Sequence, residues 1–493
     1  MRIWVLVSKV SAMADEDHGS GFFDFVRDFS FYTIAGLMSV IVGIVSLVIF
    51  TREFSTSAYG QYSLVMAFVT ILSTAFYGWI EQGILRFDSG SKDISATVIQ
   101  LSLVISFLLL LIAVVTQAIF GQNLSEYTRY YFAAALGVVG LGLFNLSKTF
   151  FQARLESRFV TLSEFLMATI KLVVGLTLTL FVLDNLVGWI WGLAIGGIIT
   201  ATAIILKVDT DIVGFDSQVA TKLFSYGLPM VGWLFGLSLL TYIDRLLLEV
   251  LANPSLVGIY SSNYGIVQSG LPLLLSPVIN AAHPVIMNAW NNSGSDNVVD
   301  LVSKYSRYYL LIGVPATILT GILSKPLSTI LLGSGFHSGY SIIPVIAAAI
   351  FVWNFAMIGH KGLELKKDTE YMLLGIVLAV ASNVVLNILL IPQYGALGAS
   401  LATLFSSLSY AGFAYLMSFR TVRWRVPNSS IFEIGISASL MAGTGIVVYQ
   451  ISMPLMMTFI GAGIATLVYT VVLYLTGGLR PEEIEMIQSY LPI

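Results

Sequence analysis

Three kinds of side chain in this sequence can do chemistry in an apolar setting: isolated cations, paired amides and a few carboxylates. Lys171 comes first. It lies about two turns into an apolar stretch, on a stripe with Glu164, Ala168, Gly175 and Thr179 at helical spacing. A lysine so placed faces a cavity or a partner, and its chemistry is to neutralise an anion. The competing readings are a stem that snorkels to an interface and a pair with Glu164. Arg245 shares a face with Ser238 and Tyr242. Its neighbour Asp244 points elsewhere, and Glu249 at i+4 can pair with it. Lys148 has Asn145 one turn back, and Lys361 has Asn354 two turns back. Both suit either an anion-attracting mouth or an ordinary basic flank. Asn383 and Asn387, one turn apart, either hydrogen-bond a ligand or bridge helices.

Other chemistries have little support. The four histidines, at 18, 283, 337 and 360, never fall at ligand spacing, and there is no cysteine. No metal and no cofactor is called for. Glu81, Glu164, Asp184, Asp244 and Glu364 all lie near the ends of apolar stretches, so a deeply placed acid for ion coupling is not evident. No P-loop pattern is present, which disfavours direct ATP hydrolysis. Asp209-Thr210-Asp211 spells the Asp-x-Asp of some sugar-nucleotide enzymes, but in a short loop with no attached domain.

The elements that must position these residues follow from composition. Of 493 residues, 57% are hydrophobic and only 10% charged, against about 25% charged in soluble domains. This excludes an ordinary soluble enzyme, and a net charge of −3 argues against nucleic acid. The chain reads as an all-α polytopic membrane protein. Apolar segments at 31–51, 61–81, 97–120, 131–151, 164–183, 187–206, 226–248, 258–281, 307–325, 338–360, 372–391, 396–419, 432–451 and 455–476 make about fourteen transmembrane helices. With both termini in the cytoplasm, most of the 24 Lys and Arg residues fall inside. The N-terminus, with Asp15-Glu16-Asp17 after a brief apolar run, is not a convincing signal peptide. Met13 is an alternative start, Phe22–Phe29 an amphipathic approach to the membrane, and Asn123-Leu124-Ser125 an outside sequon. Of the longer inside loops, 207–225 reads as a short amphipathic helix and 282–306 as a loop with a polar turn around Asn291-Asn292-Ser293.

The sequence also repeats. Gly60-Gln61-Tyr62-Ser63 and Gly258-Ile259-Tyr260-Ser261 share Gly-x-Tyr-Ser. Leu155-Glu156-Ser157-Arg158 answers Leu363-Glu364-Leu365-Lys366, and Gly188 and Gly192 answer Gly395 and Gly398. The offsets agree at about 200 residues. Two parallel six-helix repeats follow, 31–206 and 226–419, with a cavity between them suited to alternating access. The remainder is a cytoplasmic tail at 1–30, a cytoplasmic linker at 207–225, an extra helix pair at 432–476 and a cytoplasmic tail at 477–493. Pro229 and Pro272, with Gly227, are the expected hinge, since proline deletes a backbone hydrogen bond.

Gly60-Gln61-Tyr62-Ser63, Tyr226-Gly227-Leu228-Pro229, Asp244-Arg245, Leu332-Gly333-Ser334-Gly335-Phe336 and Tyr394-Gly395-Ala396-Leu397-Gly398-Ala399 carry a family resemblance over roughly 25–480. The chain resembles the polysaccharide (O-antigen type) flippases of the multidrug/oligosaccharidyl-lipid/polysaccharide exporter superfamily. That resemblance implies a V-shaped pair of lobes in the plasma membrane. It implies movement of an oligosaccharide on a polyprenyl or dolichyl (pyro)phosphate from the cytoplasmic to the outer leaflet. The glycan would serve surface polysaccharide or glycoprotein assembly, and in an archaeon the route would be N-glycosylation. The implied partners are membrane lipids and the glycosyltransferases, polymerase or oligosaccharyltransferase of the same pathway. On this reading Lys171, Arg245, Lys148, Lys361, Asn383 and Asn387 contact phosphate or glycan. Trp233, Trp353 and Tyr242 either stack on sugars or sit at the interface as ordinary aromatics. The alternative is an ion-coupled exporter of small drugs or metabolites, which would carry a buried acid instead of Lys171. A membrane glycosyltransferase or polymerase ranks third.

Overall fold

A computed structural model describes residues 20–88, 92–121, 125–208, 214–293, 295–366, 368–423, 425–426, 428–450, 455–481 and 483–484. The acidic tract at 15–17, Met13, the Asp-x-Asp loop and the Asn123 sequon position lie outside them. The chain is helical, with no strand among the described residues. In order the helices are α1 Ser20–Glu53, α2 Thr56–Phe87, α3 Lys92–Phe120, α4 Thr128–Ala153, α5 Ser157–Thr177 and α6 Val187–Ile205, then α7 Ser217–Leu251, α8 Pro254–Ser293 and α9 Ser295–Ile322. The series ends with α10 Ser324–Leu331, α11 Ile342–Lys366, α12 Thr369–Tyr394, α13 Ala396–Ser418, α14 Asn428–Gln450 and α15 Leu455–Leu475. A π-turn at Leu178–Val182 extends α5.

Twelve helices among the described residues are long and apolar enough to cross a bilayer, or thirteen if the bent pair α9–α10 is one span. The expected first segment, 31–51, falls within α1. Large apolar side chains face outward along these helices, as on Phe107, Ile112 and Leu416. Hydrocarbon, not water, is the solvent such a surface suits.

Three departures from the expected boundaries have physical causes. Residues 217–225 are not a separate amphipathic helix but the first turns of α7. The expected loop at 282–306 is largely helix, because α8 runs on to Ser293 and α9 starts at Ser295. Hydropathy ends at the membrane boundary, whereas backbone hydrogen bonding does not. The expected single segment 307–325 breaks at Leu323, where α9 and α10 bend by 64°. Pro326 explains the break: it has no N–H to give the carbonyl of residue 322, and its ring would clash with that carbonyl.

The chain divides into two compact units. One comprises residues up to 45 with 65–235, and the other 46–64 with 236 onward. In the first, Tyr77, Ile80, Ile84, Leu146, Phe150 and Ile204 form a buried core. One end of it is tied by Arg154, whose Nε donates to Asp88 Oδ2 at 2.8 Å and whose Nη2 donates to Ser95 Oγ at 3.1 Å.

In the second unit the two copies of Gly-x-Tyr-Ser meet each other. A Cβ on Gly60 would lie 1.8 Å from the Pro254 carbonyl oxygen, and one on Gly258 would lie 2.0 Å from the Thr56 carbonyl oxygen. Thr56 Oγ1 and Ser255 Oγ are hydrogen-bonded at 2.6 Å beside them. Only glycine permits backbones this close. Gly258→Val should therefore cost about 1–3 kcal/mol by overpacking, read as a lower unfolding temperature of the detergent-solubilised protein. An unchanged temperature would mean that the contact relaxes freely.

Arg307, buried in α9, anchors the C-terminal segment. It donates to Glu483, to the Gly478 carbonyl at 2.6 Å and to Ser430 Oγ at 3.0 Å. Burial pushes the Glu483 carboxyl up, but hydrogen bonds from Arg307 and from the Arg480 backbone N–H, with both positive charges, outweigh it and hold the group below its ordinary value. A carboxyl lowered on folding stabilises above its unfolded pKa, and that stability is lost as pH falls through the folded value. Limited proteolysis should therefore cut after Gly478 in acid below the carboxylate range and not at pH about 7, with Glu483→Gln susceptible at both.

Candidate functional site

The first unit contains a cavity of ≈ 280 Å³, lined in part by Phe144 and Lys148 from α4, Glu164 and Lys171 from α5, and Trp189 from α6. Close packing of α5 on α6 sets its floor. A Cβ on Gly175 would lie 2.6 Å from the Trp189 ring, and one on Gly192 would lie 2.4 Å from Gly175 Cα. Two glycines thus let the helices approach until the indole lies beneath Lys171. The Lys171 ammonium sits 5.0 Å from the Trp189 ring centre, within cation–π range. Because α5 begins at Ser157, seven residues before the expected 164, Lys171 lies near the middle of the span Ser157–Val182. That is deeper than its sequence placement suggested.

Glu164 does not pair with Lys171. Its Oε1 accepts from Lys148 Nζ at 3.1 Å, and that ammonium also sits 5.2 Å from the Phe144 ring centre. Glu81 is within electrostatic reach of Lys148 as well. Among the described residues no carboxylate lies within 4.0 Å of Lys171 Nζ. Its charge therefore rests on an aromatic face and on whatever fills the cavity.

The other expected site residues are held by the protein itself. Arg245 is buried; its Nη1 donates to the Thr241 carbonyl at 2.7 Å and its Nε to Ser261 Oγ at 3.2 Å. Its guanidinium lies over the rings of Tyr242 and Tyr264 at 5.1 and 5.0 Å. Asp244 turns away from it, as adjacent helical side chains do. Its carboxylate accepts from Tyr260, Thr403 and Asn387 at 2.6, 2.6 and 2.8 Å. Asn383 and Asn387 are fully buried in this network, where Asn387 Nδ2 also reaches Asn383 Oδ1 at 2.9 Å. Asn387 bridges α12 to α7, and Asn383 Nδ2 reaches Ser406 Oγ on α13 at 3.5 Å. Lys361 bonds Glu364 of its own helix at 2.7 and 2.9 Å.

Of the expected hinge, α7 passes Pro229 and α8 passes Pro272 as continuous helices. Gly227 has a packing reason, because a Cβ there would lie 1.9 Å from the Trp79 carbonyl oxygen. Sequence reasoning missed Trp189, Tyr260 and Thr403. Two had a signal: Tyr260 as the tyrosine of the second Gly-x-Tyr-Ser copy, and Trp189 as a large ring one residue after Gly188.

The structure is a polytopic helical bundle with a cationic cavity in one unit, and the proteins it is similar to are flippases and transporters. The family model described as polysaccharide biosynthesis protein matches residues 25–290. The chain belongs to that family. A curated relative, the "Probable low-salt glycan biosynthesis flippase Agl15" of Haloferax volcanii, is 22% identical over 472 residues, covering 93% of this chain and 98% of that protein. The "Uncharacterized membrane protein MJ1068" of Methanocaldococcus jannaschii is 24% identical over 209 residues, 42% of this chain and 41% of that protein. Among solved structures, the lipid II flippase MurJ in an inward closed conformation superposes with a TM-score of 0.73 at 14% identity, covering 90% of this chain and 98% of that one. An inward-facing multidrug resistance MATE family transporter superposes with a TM-score of 0.64 at 13% identity, covering 78% of this chain and 94% of that one. At these identities both show the fold.

An ammonium without a carboxylate inside a membrane helix is destabilising. Lys171→Met should therefore raise the stability of the ligand-free protein. The gain should be about 1 kcal/mol, less than the roughly 2.5–3.5 kcal/mol of a charge at a bilayer centre, because the cavity is open. A lower unfolding temperature in detergent would show that Lys171 has a counter-charge after all.

Proposed function

We propose that this protein is a flippase for an oligosaccharide carried on a polyprenyl or dolichyl (pyro)phosphate. The observation that carries the reading is Lys171, a cation near the middle of its span with no carboxylate beside it among the described residues, opening on a cavity in a chain of the polysaccharide biosynthesis family. A phosphate on a lipid carrier is an anion that must pass this depth, and the ammonium offsets its desolvation there. Lys148, already paired with Glu164, is the second contact and can exchange its partner for the phosphate. The lipid tail stays in the hydrocarbon, so only the headgroup needs a polar route. Alternating access moves the headgroup from the cytoplasmic to the outer leaflet of the plasma membrane, with both chain termini cytoplasmic. Pro229 and Gly227, on α7, are the hinge of the proposal, since proline deletes a backbone hydrogen bond of that helix. An exporter of cationic drugs would need a carboxylate where Lys171 stands.

The test is the sidedness of lipid-linked oligosaccharides in membranes of cells lacking the protein, complemented with wild type, Lys171→Arg or Lys171→Ala. Accumulation on the cytoplasmic face should be relieved by wild type, and in part by Lys171→Arg. Lys171→Ala should flip roughly tenfold to a hundredfold more slowly, the equivalent of a charge-assisted hydrogen bond of about 1.5–3 kcal/mol. Full rescue by Lys171→Ala would reduce the lysine to a snorkelling residue. No accumulation without the protein would favour the small-molecule exporter.

A further inference from the structure

The second unit has its own cavity of ≈ 260 Å³, and its lining differs in kind. It contains no Lys, Arg, His, Asp or Glu. Its polar groups are amides and hydroxyls: Gln268 and Ser276 on α8, Asn354 on α11, Thr241 on α7, and Thr403 and Ser407 on α13. Trp353 supplies an aromatic wall. Tyr410 backs one face of that indole, with ring centres 4.7 Å apart, and is itself pinned by His360 Nδ1 at 2.6 Å from its hydroxyl. The ring is thereby fixed from behind, with its other face left to the cavity. Asn354 Nδ2 donates to the Ile350 carbonyl at 2.9 Å, which leaves its carbonyl oxygen to accept. Gln268 is exposed, with no hydrogen-bond partner among the described residues, and brings both a donor and an acceptor.

We propose that this cavity is a subsite for one uncharged sugar residue of the transported glycan, with Trp353 as the stacking platform and Gln268 and Asn354 as the hydroxyl-reading amides. The proposal rests on the flippase reading and goes beyond it in naming the sugar chemistry. An aromatic face with convergent amides and hydroxyls matches a pyranose, which has an apolar C–H face and a rim of hydroxyls. The volume falls below the roughly 300–1,000 Å³ of drug-sized pockets, so it takes a single sugar unit rather than the whole glycan. The missing cations set the selectivity, because a uronic acid would bring an unpaired carboxylate into a low-dielectric wall. Arg245 does not supply the balance. It is not among the lining residues, and its Nη1 and Nε are bonded to the Thr241 carbonyl and Ser261 Oγ.

The test uses the full chain in lipid nanodiscs and three probes: polyprenyl phosphate bearing one neutral hexose, the same lipid bearing one hexuronic acid, and the bare polyprenyl phosphate. The hexose lipid should bind about tenfold tighter than the hexuronic acid lipid and than the bare phosphate. Trp353→Ala, and separately Gln268→Ala with Asn354→Ala, should erase that preference without changing the affinity of the bare phosphate, and Trp353→Phe should keep it. Equal or tighter binding of the hexuronic acid lipid overturns the proposal, as does a preference that survives both the Trp353→Ala and the double amide variants. A failure of the flippase reading looks different: bare-phosphate binding that is absent, or that is indifferent to Lys171→Ala. If none of the three lipids binds, both readings fall.

Discussion

Removing a charge from water is the most costly step in building a membrane protein, and the arrangement of this one follows from how each charge is compensated. Arg154 has Asp88, Arg307 has Glu483, Lys148 has Glu164 and Lys361 has Glu364. Asp244 has no basic partner within bonding distance, but three donors converge on its carboxylate. Each of these couples holds two helices together, caps a helix end or pins a terminal segment. Lys171 breaks the pattern. Its neighbour is a tryptophan face, which interacts favourably with a cation but adds no negative charge. Arg245 is also a cation without a paired carboxylate, but the Thr241 carbonyl, Ser261 and tyrosine rings hold it, whereas Lys171 lies in the wall of a cavity.

The helices were legible in sequence to different degrees. A span declares itself because about 20 consecutive apolar residues have few other uses, and the short turns between α12 and α13 or α5 and α6 left little room for error. The ends beyond the membrane were not legible. α8 continues to Ser293 through His283, Asn288 and Asn292, a stretch whose polarity reads as loop although its backbone bonding is unbroken. The same blindness hid the start of α7 at Ser217. The break at Leu323 was latent in Pro326. Its effect depends on whether a proline falls in a helix interior or in its first turn, a choice that neighbouring packing makes.

Site residues divide by a similar rule. That Lys171 lies inside a span was readable because it depends only on the residues around it in sequence, but its place near the middle was not, since that depends on where α5 starts. Which lysine Glu164 would choose was not, since helical spacing on α5 carries no information about where α4 lies. Geometry along one helix did settle part of the Asp244–Arg245 question. Adjacent side chains diverge, and here the acid joins Tyr260, Thr403 and Asn387 while the base joins Ser261 and a tyrosine cluster. Asn383 and Asn387 illustrate the limit. Two amides one turn apart must avoid lipid, but whether they meet a ligand or Asp244 depends on helices more than 130 residues away.

The repeat places these differences in one frame. Gly60 and Gly258 stand at matching places in the two Gly-x-Tyr-Ser copies and form the two sides of one close backbone contact. Side chains elsewhere have not been kept. One repeat on from Lys171, by an offset of about 207 residues, is Leu378, an exposed apolar residue on α12. Lys148 and Lys361 stand at roughly corresponding positions, yet one reaches across to a glutamate on the next helix while the other closes on its own. The outcome is one cavity whose wall is cationic and another whose wall has no charge. A duplicated helical frame fixes where cavities can form, because backbone contacts through glycine tolerate almost no substitution. The residues lining those cavities are free of that constraint, so a charged wall on one set of helices and an uncharged wall on another can arise in a single chain.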